Sequence, residues 1–343
     1  MDVNELLTFL FLQSKIAAYS FHPFRRKKHF MLFRNCFATS LLFCILVAIA
    51  AAPFATAQGT PGGKTTIITE FTPLSQEELK KGTIRLFDGF STYGWKDDVN
   101  VKVENGRLLT HYSLDALKNT PIWGAEGLAG ELCTIPGGSS ADLRTMVLQQ
   151  VTMLPHNMTP LFDGKTLDGW SIRGKAEAVV VDGVIKLTNG SGSLASDGKY
   201  GDFILQLEYF TPVRPEGKGV NSGVFFRCIP EDMMNGYECQ ILNNAGAGDY
   251  ERFIGTDTGG IFRRQVGRNV GPKDGEWNYL TLAAKGNRIA TWVNGIQTAD
   301  WTDERAPHAN PRNGCRVEAG TIQFQGHDPE TEILFRNIRI REL

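Results

Sequence analysis

Alternating apolar and polar residues predict a series of β-strands in the second half of the chain. One face of Asp202–Phe210 is apolar throughout, and Gln206 and Glu208 lie on the other face. A period of two is typical of a strand with one buried face. Comparable runs, joined by turns rich in Gly, Asn and Pro, are Val220–Cys228, Tyr237–Leu242, Glu276–Ala284, Arg288–Val293, Ile296–Trp301, Thr321–His327 and Glu332–Arg341. Because no convincing amphipathic helix interrupts them, these runs predict an all-β fold, either a sandwich or a jelly roll.

One stretch of sequence occurs twice. I-R-L-F-D-G-F-S-T-Y-G-W at 84–95 returns as P-L-F-D-G-K-T-L-D-G-W at 160–170, and a candidate hairpin follows each copy, at 101–110 and 178–188. Such self-similarity indicates an internal repeat. The first copy ends before any counterpart of the later strands. We therefore expect residues 84–157 to be a truncated, degenerate repeat of a complete domain at 158–343.

The amino-terminal segment has the layout of a secretory signal peptide. Basic residues at Arg25–Lys28 precede an apolar run at 37–52 and the small-residue ending Ala55–Ala57, which predicts cleavage before Gln58. Met31 is an alternative start, which would make the residues before it a gene-model artefact. An uncleaved membrane anchor is the other interpretation. Either one places the remainder outside the cytoplasm, in the periplasm or the extracellular space.

Composition narrows the classes of partner. The 343 residues carry a net charge of −1 and 42% are hydrophobic, which suits one large or two medium domains. Near-zero charge gives no electrostatic basis for binding nucleic acid or an anionic membrane surface. Residues 58–83 are polar and are expected to form a flexible linker. No membrane span is expected after signal cleavage, and the oligomeric state is left open.

Four cysteines follow the expected cleavage site: Cys133, Cys228, Cys239 and Cys315. An even number in an oxidising compartment indicates disulfides. Cys228 and Cys239 lie on strands expected to pair, so they are the predicted bridge, and the pairing of the other two is open. A zinc site is the alternative, although no C-x-x-C spacing is present.

Strand parity gathers polar side chains on one face of the central strand pair. If the two cysteines share a face, the opposite face holds Asn221, Arg227, Glu238 and Gln240. The polar positions of a later strand are Gln323, Gln325 and His327. Planar amides and charged groups supply the donors and acceptors that a sugar needs. The alternative is a solvated face with a cross-strand ion pair.

The glycine-rich segment from Asn243 to Arg268 predicts a long loop that could wall a groove. Arg263 and Arg264 in this loop are either rim contacts or solvated. Arg268 is expected to be solvated.

Nine motifs occur in order across the second half of the chain. They are L-F-D-G-K-T-L-D-G-W at 161–170, G-D-F-I-L-Q-L-E at 201–208, N-S-G-V-F-F-R at 221–227, Y-E-C-Q-I at 237–241, T-G-G-I-F at 258–262, E-W-N at 276–278, W-V-N-G at 292–295, G-T-I-Q-F-Q-G-H at 320–327 and F-R-N-I-R-I at 335–340. Together they resemble the 3-keto-disaccharide hydrolase domain family, in versions common in planctomycete-type bacteria. The resemblance implies a concanavalin-A-like lectin/glucanase sandwich and an exported, glycan-processing protein that acts on 3-keto-glycosides.

The implied chemistry starts from the ketone. A ketone at C3 acidifies the C2 proton, so a base can start elimination of the C1 substituent, after which water adds back. The polar faces of the strands offer Glu208, Glu238 and His327, and the motif match supports these positions. We hypothesise that the three converge at the centre of a concave sheet as catalytic residues, with His327 or a glutamate as the base. The same three residue types ligate divalent cations, so a metal ion acting as a Lewis acid is a further expectation. The expected substrate-binding residues are Asn221, Ser222, Arg227, Gln240, Gln323 and Gln325, with Arg227 orienting the sugar or steadying negative charge.

Two other functions remain open at this point. Glu208 and Glu238 could form the carboxylate pair of a conventional glycoside hydrolase. A non-catalytic carbohydrate-binding module would use the amides and aromatic residues without a perturbed acid. The spacing of the carboxylates and His327 distinguishes an enzyme from a binding module.

Overall fold

The computed structural model describes residues 73–95, 101–111, 130–136, 146–215, 219–243, 253–254, 257–268 and 270–343. Every described residue belongs to one compact unit, Thr65–Leu343. The expected signal peptide lies outside the described residues.

The described elements are one helix and twenty strands. They are α1 Gln76–Lys81, β1 Ile84–Arg85, β2 Val101–Glu104, β3 Arg107–Thr110, β4 Gly130–Pro136, β5 Met146–Pro155, β6 Thr159–Pro160, β7 Trp170–Gly174, β8 Glu177–Val181, β9 Val184–Thr188, β10 Gly192–Ser196, β11 Phe203–Phe210, β12 Ser222–Cys228, β13 Tyr237–Ile241, β14 Phe253–Ile254, β15 Gly267–Arg268, β16 Trp277–Lys285, β17 Arg288–Val293, β18 Ile296–Thr302, β19 Thr321–Gly326 and β20 Glu332–Glu342.

Two antiparallel sheets form a sandwich. The larger sheet has the order β18-β17-β16-β11-β20-β9-β8, with β6 beside β20, and the smaller sheet has the order β13-β12-β19-β10-β7. Leu205 and Leu207 from β11 meet Val224, Phe226 and Phe324 from the smaller sheet in a common core. Such facing apolar rows hold a sandwich together. The predicted all-β sandwich is confirmed.

A third sheet covers the outer face of the larger one. Its order is β1-β5-β3-β2, with β4 beside β5. Leu108 and Val151 of this sheet pack in one cluster with Ile204, Ala290 and Trp292 of the larger sheet. The alternation along β11 explains this, since Leu205 faces the sandwich core and Ile204 faces the added layer.

The third sheet repeats the pairing pattern of part of the larger sheet. β5 pairs with β1, β3 and β4, and β3 pairs with β2. In the same chain order, β20 pairs with β6, β9 and β11, and β9 pairs with β8. Only nine residues separate β4 from β5, whereas eight strands, β12 to β19, lie between β11 and β20.

The duplicated motif also takes the same turn in both places. The carboxylate of Asp88 accepts hydrogen bonds from the backbone N–H groups of the residues two and three positions later, and so does that of Asp163. The indole of Trp95 donates to the carbonyl of the residue nine positions earlier, and that of Trp170 does likewise. These shared turns agree with an internal repeat. The descent of residues 84–157 from a complete domain stays a prediction.

A helix lies in the segment expected to be a linker. Ser75 and Glu78 form a reciprocal capping box at the start of α1, and Gly82 ends the helix with φ 93°. Leu79 on its buried side packs with Leu74 and Tyr279. The linker prediction is therefore wrong for the end of 58–83. The S-Q-E-E sequence at 75–78 is the capping signal that identifies this helix.

The predicted disulfide is absent. Cys239 on β13 pairs with Val224 on β12. Because Val224 precedes Cys228 by four residues on β12, the two cysteines lie roughly 13 Å apart along the sheet. A disulfide requires Cα atoms within about 7 Å. Cys228 and Cys239 are instead buried free thiols, and Cys315 is also free. The side chain of Cys133 lies outside the described residues.

Candidate active site on the smaller sheet

The outer face of the smaller sheet is polar, and we call it the polar face. In cross-strand register, Phe225 lies between Glu238 and Gln323, and Gly223 lies beside Gln240. The remaining strands add to this face Gln325 from β19, Ser193 from β10, and Ser171 and Arg173 from β7. Parity thus brings Glu238, Gln240, Gln323 and Gln325 to one surface, as the sequence predicts.

A cavity of about 260 Å³ opens at one end of this face. Its lining residues are Phe225, Gly236, Tyr237, Glu238, Phe262, Arg263, Arg264, Pro311 and Arg312. Two loops supply the arginines, one between β14 and β15 and one between β18 and β19.

Backbone hydrogen bonds fix the first of these loops beside Glu238. The N–H of Phe262 donates to the carbonyl of Glu238 at 2.9 Å, and the N–H of Gln240 donates to the carbonyl of Gly260 at 2.9 Å. The segment therefore runs alongside β13 as an additional edge. This pairing fixes Phe262 beside Glu238, and Arg263 is the next residue in the chain.

Glu238 is the perturbed acid of the cavity. Burial raises the pKa of Glu238 to about 7, and the positive charges of Arg312 and Arg263 oppose that shift. The described part of the chain offers its carboxylate no hydrogen bond or ion pair. A Cβ on Gly223 would lie 2.8 Å from its Oε1 atom, so glycine leaves the carboxylate its space. A carboxylate that titrates near neutrality is suited to general acid–base catalysis.

The predicted glutamines are all buried, and they differ in their hydrogen-bond partners. Gln240 donates to Oδ1 of Asn221 at 3.0 Å. Gln325 is 8% exposed, and its Oε1 has no partner in the described part of the chain. Gln323 is fully buried and holds the β12–β13 loop through Asp232 O and Met234 N, both at 2.9 Å. Ser222 faces away from the polar face.

Ser222 has a structural role. It lies on β12 in phase with the core residues Val224 and Phe226 and is completely buried. Its hydroxyl donates to the carbonyl of Gln325 at 2.7 Å. The expectation that Ser222 contacts substrate is therefore not supported by its position.

His327 lies away from the cavity. It follows the end of β19, four residues beyond Gln323, so it is roughly 13 Å farther along the sheet than the row that holds Glu238. Its side chain is 46% exposed, and Nδ1 lies 3.2 Å from Asp328 Oδ2. The predicted meeting of His327 with Glu238 is wrong.

Glu208 lies on the other sheet. Its neighbours Leu207 and Tyr209 face the sandwich core, so Glu208 points to the outer face of the larger sheet. There it pairs with Arg336 at 2.7 Å and accepts a hydrogen bond from Asn337 at 2.6 Å. The sandwich separates it from Glu238. The predicted convergence, and with it the Glu208–Glu238 carboxylate pair, is wrong.

The expected metal ligands are not assembled. Within the described ranges, no three His, Cys, Asp or Glu side chains group closely enough to hold a metal ion. Glu208, Glu238 and His327 therefore do not form a ligand set.

Arg227 is held inside the protein by a β-bulge. The register between β12 and β19 shifts between Phe225 and Cys228, and Arg227 has φ 48°. Its fully buried guanidinium donates to Gly201 O at 2.8 Å and Gly286 O at 2.7 Å, and it contacts Asp202 at 3.0 Å. The bulge interrupts the alternation of faces. Arg227 therefore stabilises the junction of loops and does not lie on the polar face.

The arginines of the loops differ from expectation in two ways. Arg263 and Arg264 line the cavity, whereas Arg268 is 3% exposed and not solvated. Arg312 also lines the cavity. It lies in a Pro- and Asn-rich loop with no periodic pattern, so sequence alone does not point to it.

No helix within the described residues is long and apolar enough to cross a membrane.

Comparisons with known proteins give a consistent result. A family model described as a 3-keto-alpha-glucoside-1,2-lyase-like domain matches residues 157–341. A 3-keto-disaccharide hydrolase of Bacteroides thetaiotaomicron is 27% identical over 236 residues, which are 53% of this chain and 77% of that protein. A candidate glycosyl hydrolase structure from Parabacteroides distasonis is 26% identical, with a TM-score of 0.43 over 55% of this chain and 100% of its own. A carbohydrate-binding module from Bacillus subtilis is 13% identical, with a TM-score of 0.36 over 54% and 98%.

Proposed function

The chain belongs to the 3-keto-alpha-glucoside-1,2-lyase-like family, and on that premise we propose that it cleaves 3-keto-glycosides with Glu238 as the general base. The observation that carries this proposal is the pKa of Glu238, which burial raises to about 7 inside a cavity. A base with a pKa near the working pH transfers protons most effectively.

The reaction is an elimination followed by a hydration. The Glu238 carboxylate removes the C2 proton, and the electron pair moves to the C3 oxygen as an enolate. The enolate collapses to a C1=C2 double bond while the C1–O bond breaks, and Glu238 passes its proton to the departing oxygen. A water molecule then adds to C1, losing a proton to Glu238, which delivers it to C2. Atoms and charges balance with one carboxylate as proton carrier.

The guanidiniums support the charged intermediate. Arg263 and Arg312 act on Glu238 electrostatically and line the same cavity. Cations fixed in a partly dehydrated site stabilise an enolate oxygen more strongly than water does. Gln240 and Gln325 lie on the same polar face as Glu238, and with Asn221 they supply amides for sugar hydroxyls.

A non-catalytic carbohydrate-binding module remains the second candidate, favoured by the row of amides on the polar face. A two-carboxylate glycosidase built on Glu208 and Glu238 is not proposed, because those residues lie on opposite sides of the sandwich.

The decisive experiment assays the full chain on 3-keto-glucosides and on the unoxidised glucosides. We expect turnover of the keto substrate alone, with Glu238→Gln reducing kcat by on the order of 100-fold or more. The matched control is Glu304→Gln, which removes an exposed carboxylate that does not line the cavity. Unchanged turnover in Glu238→Gln would remove Glu238 from the mechanism. Binding of glycosides without turnover of either class would establish the binding module instead.

We also propose that the protein is exported through the segment at 1–57, as its basic, apolar and small-residue regions indicate. Amino-terminal sequencing of the secreted protein should begin at Gln58. A mature chain that retains the apolar run would support the membrane-anchor alternative.

A further inference from the structure

The cavity beside Glu238 has an excess of positive charge. Its lining includes Arg263, Arg264 and Arg312 but only one carboxylate, that of Glu238. None of the three guanidiniums has a carboxylate oxygen within 4.0 Å in the described part of the chain. The arginines nearby differ, since Arg305 pairs with Asp303 at 2.7 Å.

Hydrogen bonds between the loops hold these guanidiniums in place. Arg264 donates to the carbonyl of Arg312 at 2.8 Å, and Arg312 donates to the carbonyl of Met234 at 2.8 Å. The guanidinium of Arg263 lies 5.1 Å from the centre of the Phe262 ring. Each guanidinium has five N–H donors, so most donors remain for a ligand. A fixed fork of donors is the geometry that recognises carboxylate, sulfate and phosphate groups.

Burial lowers the pKa of Arg264; repulsion from Arg305 and Arg263 adds to this shift, and attraction to Asp303 opposes it. An enolate carries one negative charge, so a single guanidinium is enough to match the intermediate. The remaining positive charge favours a substrate that already carries an anionic group before the reaction starts.

We propose that the natural substrate is an acidic glycoside, whose carboxylate, sulfate or phosphate group binds Arg263, Arg264 and Arg312. The inference rests on the proposed function for the 3-keto group. The anion site itself does not require a ketone, so it can be tested without turnover.

Binding to the full chain tests the anion site directly. The probes are methyl glucuronide, glucose 6-sulfate and glucose 6-phosphate, with methyl glucoside as the uncharged control, each titrated by calorimetry. At low salt, at least one acidic sugar should bind about tenfold more tightly than methyl glucoside or better, and about 0.5 M NaCl should reduce this preference. The tightest of the three identifies the acidic group. Equal affinity for all four sugars would overturn the proposal.

Variants locate the site. Arg264→Gln should reduce the preference for acidic sugars about tenfold. Arg263→Gln, whose exposed side chain makes no hydrogen bond across the loops, is the variant that keeps both loops intact. Arg214→Gln removes one charge away from the cavity lining and should leave the preference unchanged. An acidic-sugar preference that survives both cavity variants would overturn the proposal.

Kinetics separates this inference from the proposed function. With keto substrates, Arg264→Gln should raise KM for an acidic 3-keto-glycoside and leave KM for the neutral one unchanged. Equal losses of kcat on both substrates would mean that Arg264 serves the enolate only, and would contradict the inference. Tight binding of acidic sugars by a chain that turns over no keto substrate would leave the anion site standing and remove the proposed reaction.

Discussion

Asp88 and Arg268 form a buried ion pair, with Arg268 Nη2 lying 2.7 Å from Asp88 Oδ2 and both side chains less than 10% exposed. Asp88 belongs to the duplicated turn of the third sheet. Arg268 ends β15, a few residues after the arginines of the cavity wall, and its guanidinium lies 4.6 Å from the ring centre of Tyr93. The third sheet therefore holds one end of the loop that walls the candidate active site.

We expect Asp88→Asn to loosen this loop. Breaking a buried ion pair costs roughly 3 kcal/mol in unfolding free energy, and hydrogen exchange in residues 257–268 should accelerate. The matched control is Asp163→Asn, because Asp163 makes the same turn in the second copy but is exposed. Urea unfolding and hydrogen exchange of both variants measure the difference. Equal effects of the two substitutions would show that the turn, not the ion pair, is responsible.

The pH dependence of activity should follow Glu238. The base must be ionised, so kcat/KM should rise with pH and reach half its maximum near the folded pKa of about 7. A pH–rate profile on a neutral 3-keto-glucoside tests this. A profile that is flat between pH 5 and 8 would assign the proton transfer to another group.

Glu238 should also make the fold less stable at higher pH. Its pKa is about 7 in the folded protein against an ordinary value of 4.5, so folding favours the protonated form. The associated stability is fully present below about pH 4.5 and is lost as pH rises through 7.

The substitution Glu238→Gln should remove this loss of folding stability at higher pH. Relative to the wild type, the variant should gain roughly 3 kcal/mol between pH 4.5 and 8, as measured by urea unfolding at both values. Glu304→Gln should show no such gain. A constant difference between Glu238→Gln and the wild type at both pH values would contradict the buried, unpaired state of this carboxylate.

Gly223→Ala should impair catalysis more than folding. The new methyl group would lie 2.8 Å from Glu238 Oε1, and the end of a flexible side chain can move aside. Displacing a catalytic base costs on the order of 10- to 100-fold in rate. The control is Gly201→Ala, where the nearest atom to the added Cβ is 3.6 Å away. If Gly223→Ala lowers the melting temperature as much as the rate, the glycine serves packing instead.

Cys228 and Cys239 should remain thiols under oxidising conditions. Burial raises the pKa of both thiols, and the strand register keeps them apart. Mass spectrometry after alkylation should detect both as unmodified in the folded chain and as alkylated after unfolding without reductant. A peptide linking the two would contradict the register.

The sequence predicted the sandwich and the acid of the cavity because both depend on regular alternation. Glu238 and Gln240 lie on one face of β13 and Cys239 on the other, as the alternation of side chains along a strand requires. Parity failed at Arg227, because a bulge reverses the faces beyond it. It also failed for Glu208, since parity assigns a residue to one face of its own sheet and not to one of two sheets. Arg312 lies in a loop, where position depends on tertiary contacts alone.

The third sheet sets a practical limit on where the molecule can be cut. Among the described residues, its Leu108 and Val151 are buried against Ile204, Ala290 and Trp292 of the larger sheet. The Trp292 indole even donates to the carbonyl of Arg85 in that layer, at 3.1 Å. A chain trimmed to residues 157–341, which match the family, would expose this apolar surface to water and would be prone to aggregate. The third sheet is thus a cover on the outer face of the larger sheet, and the two should be expressed together.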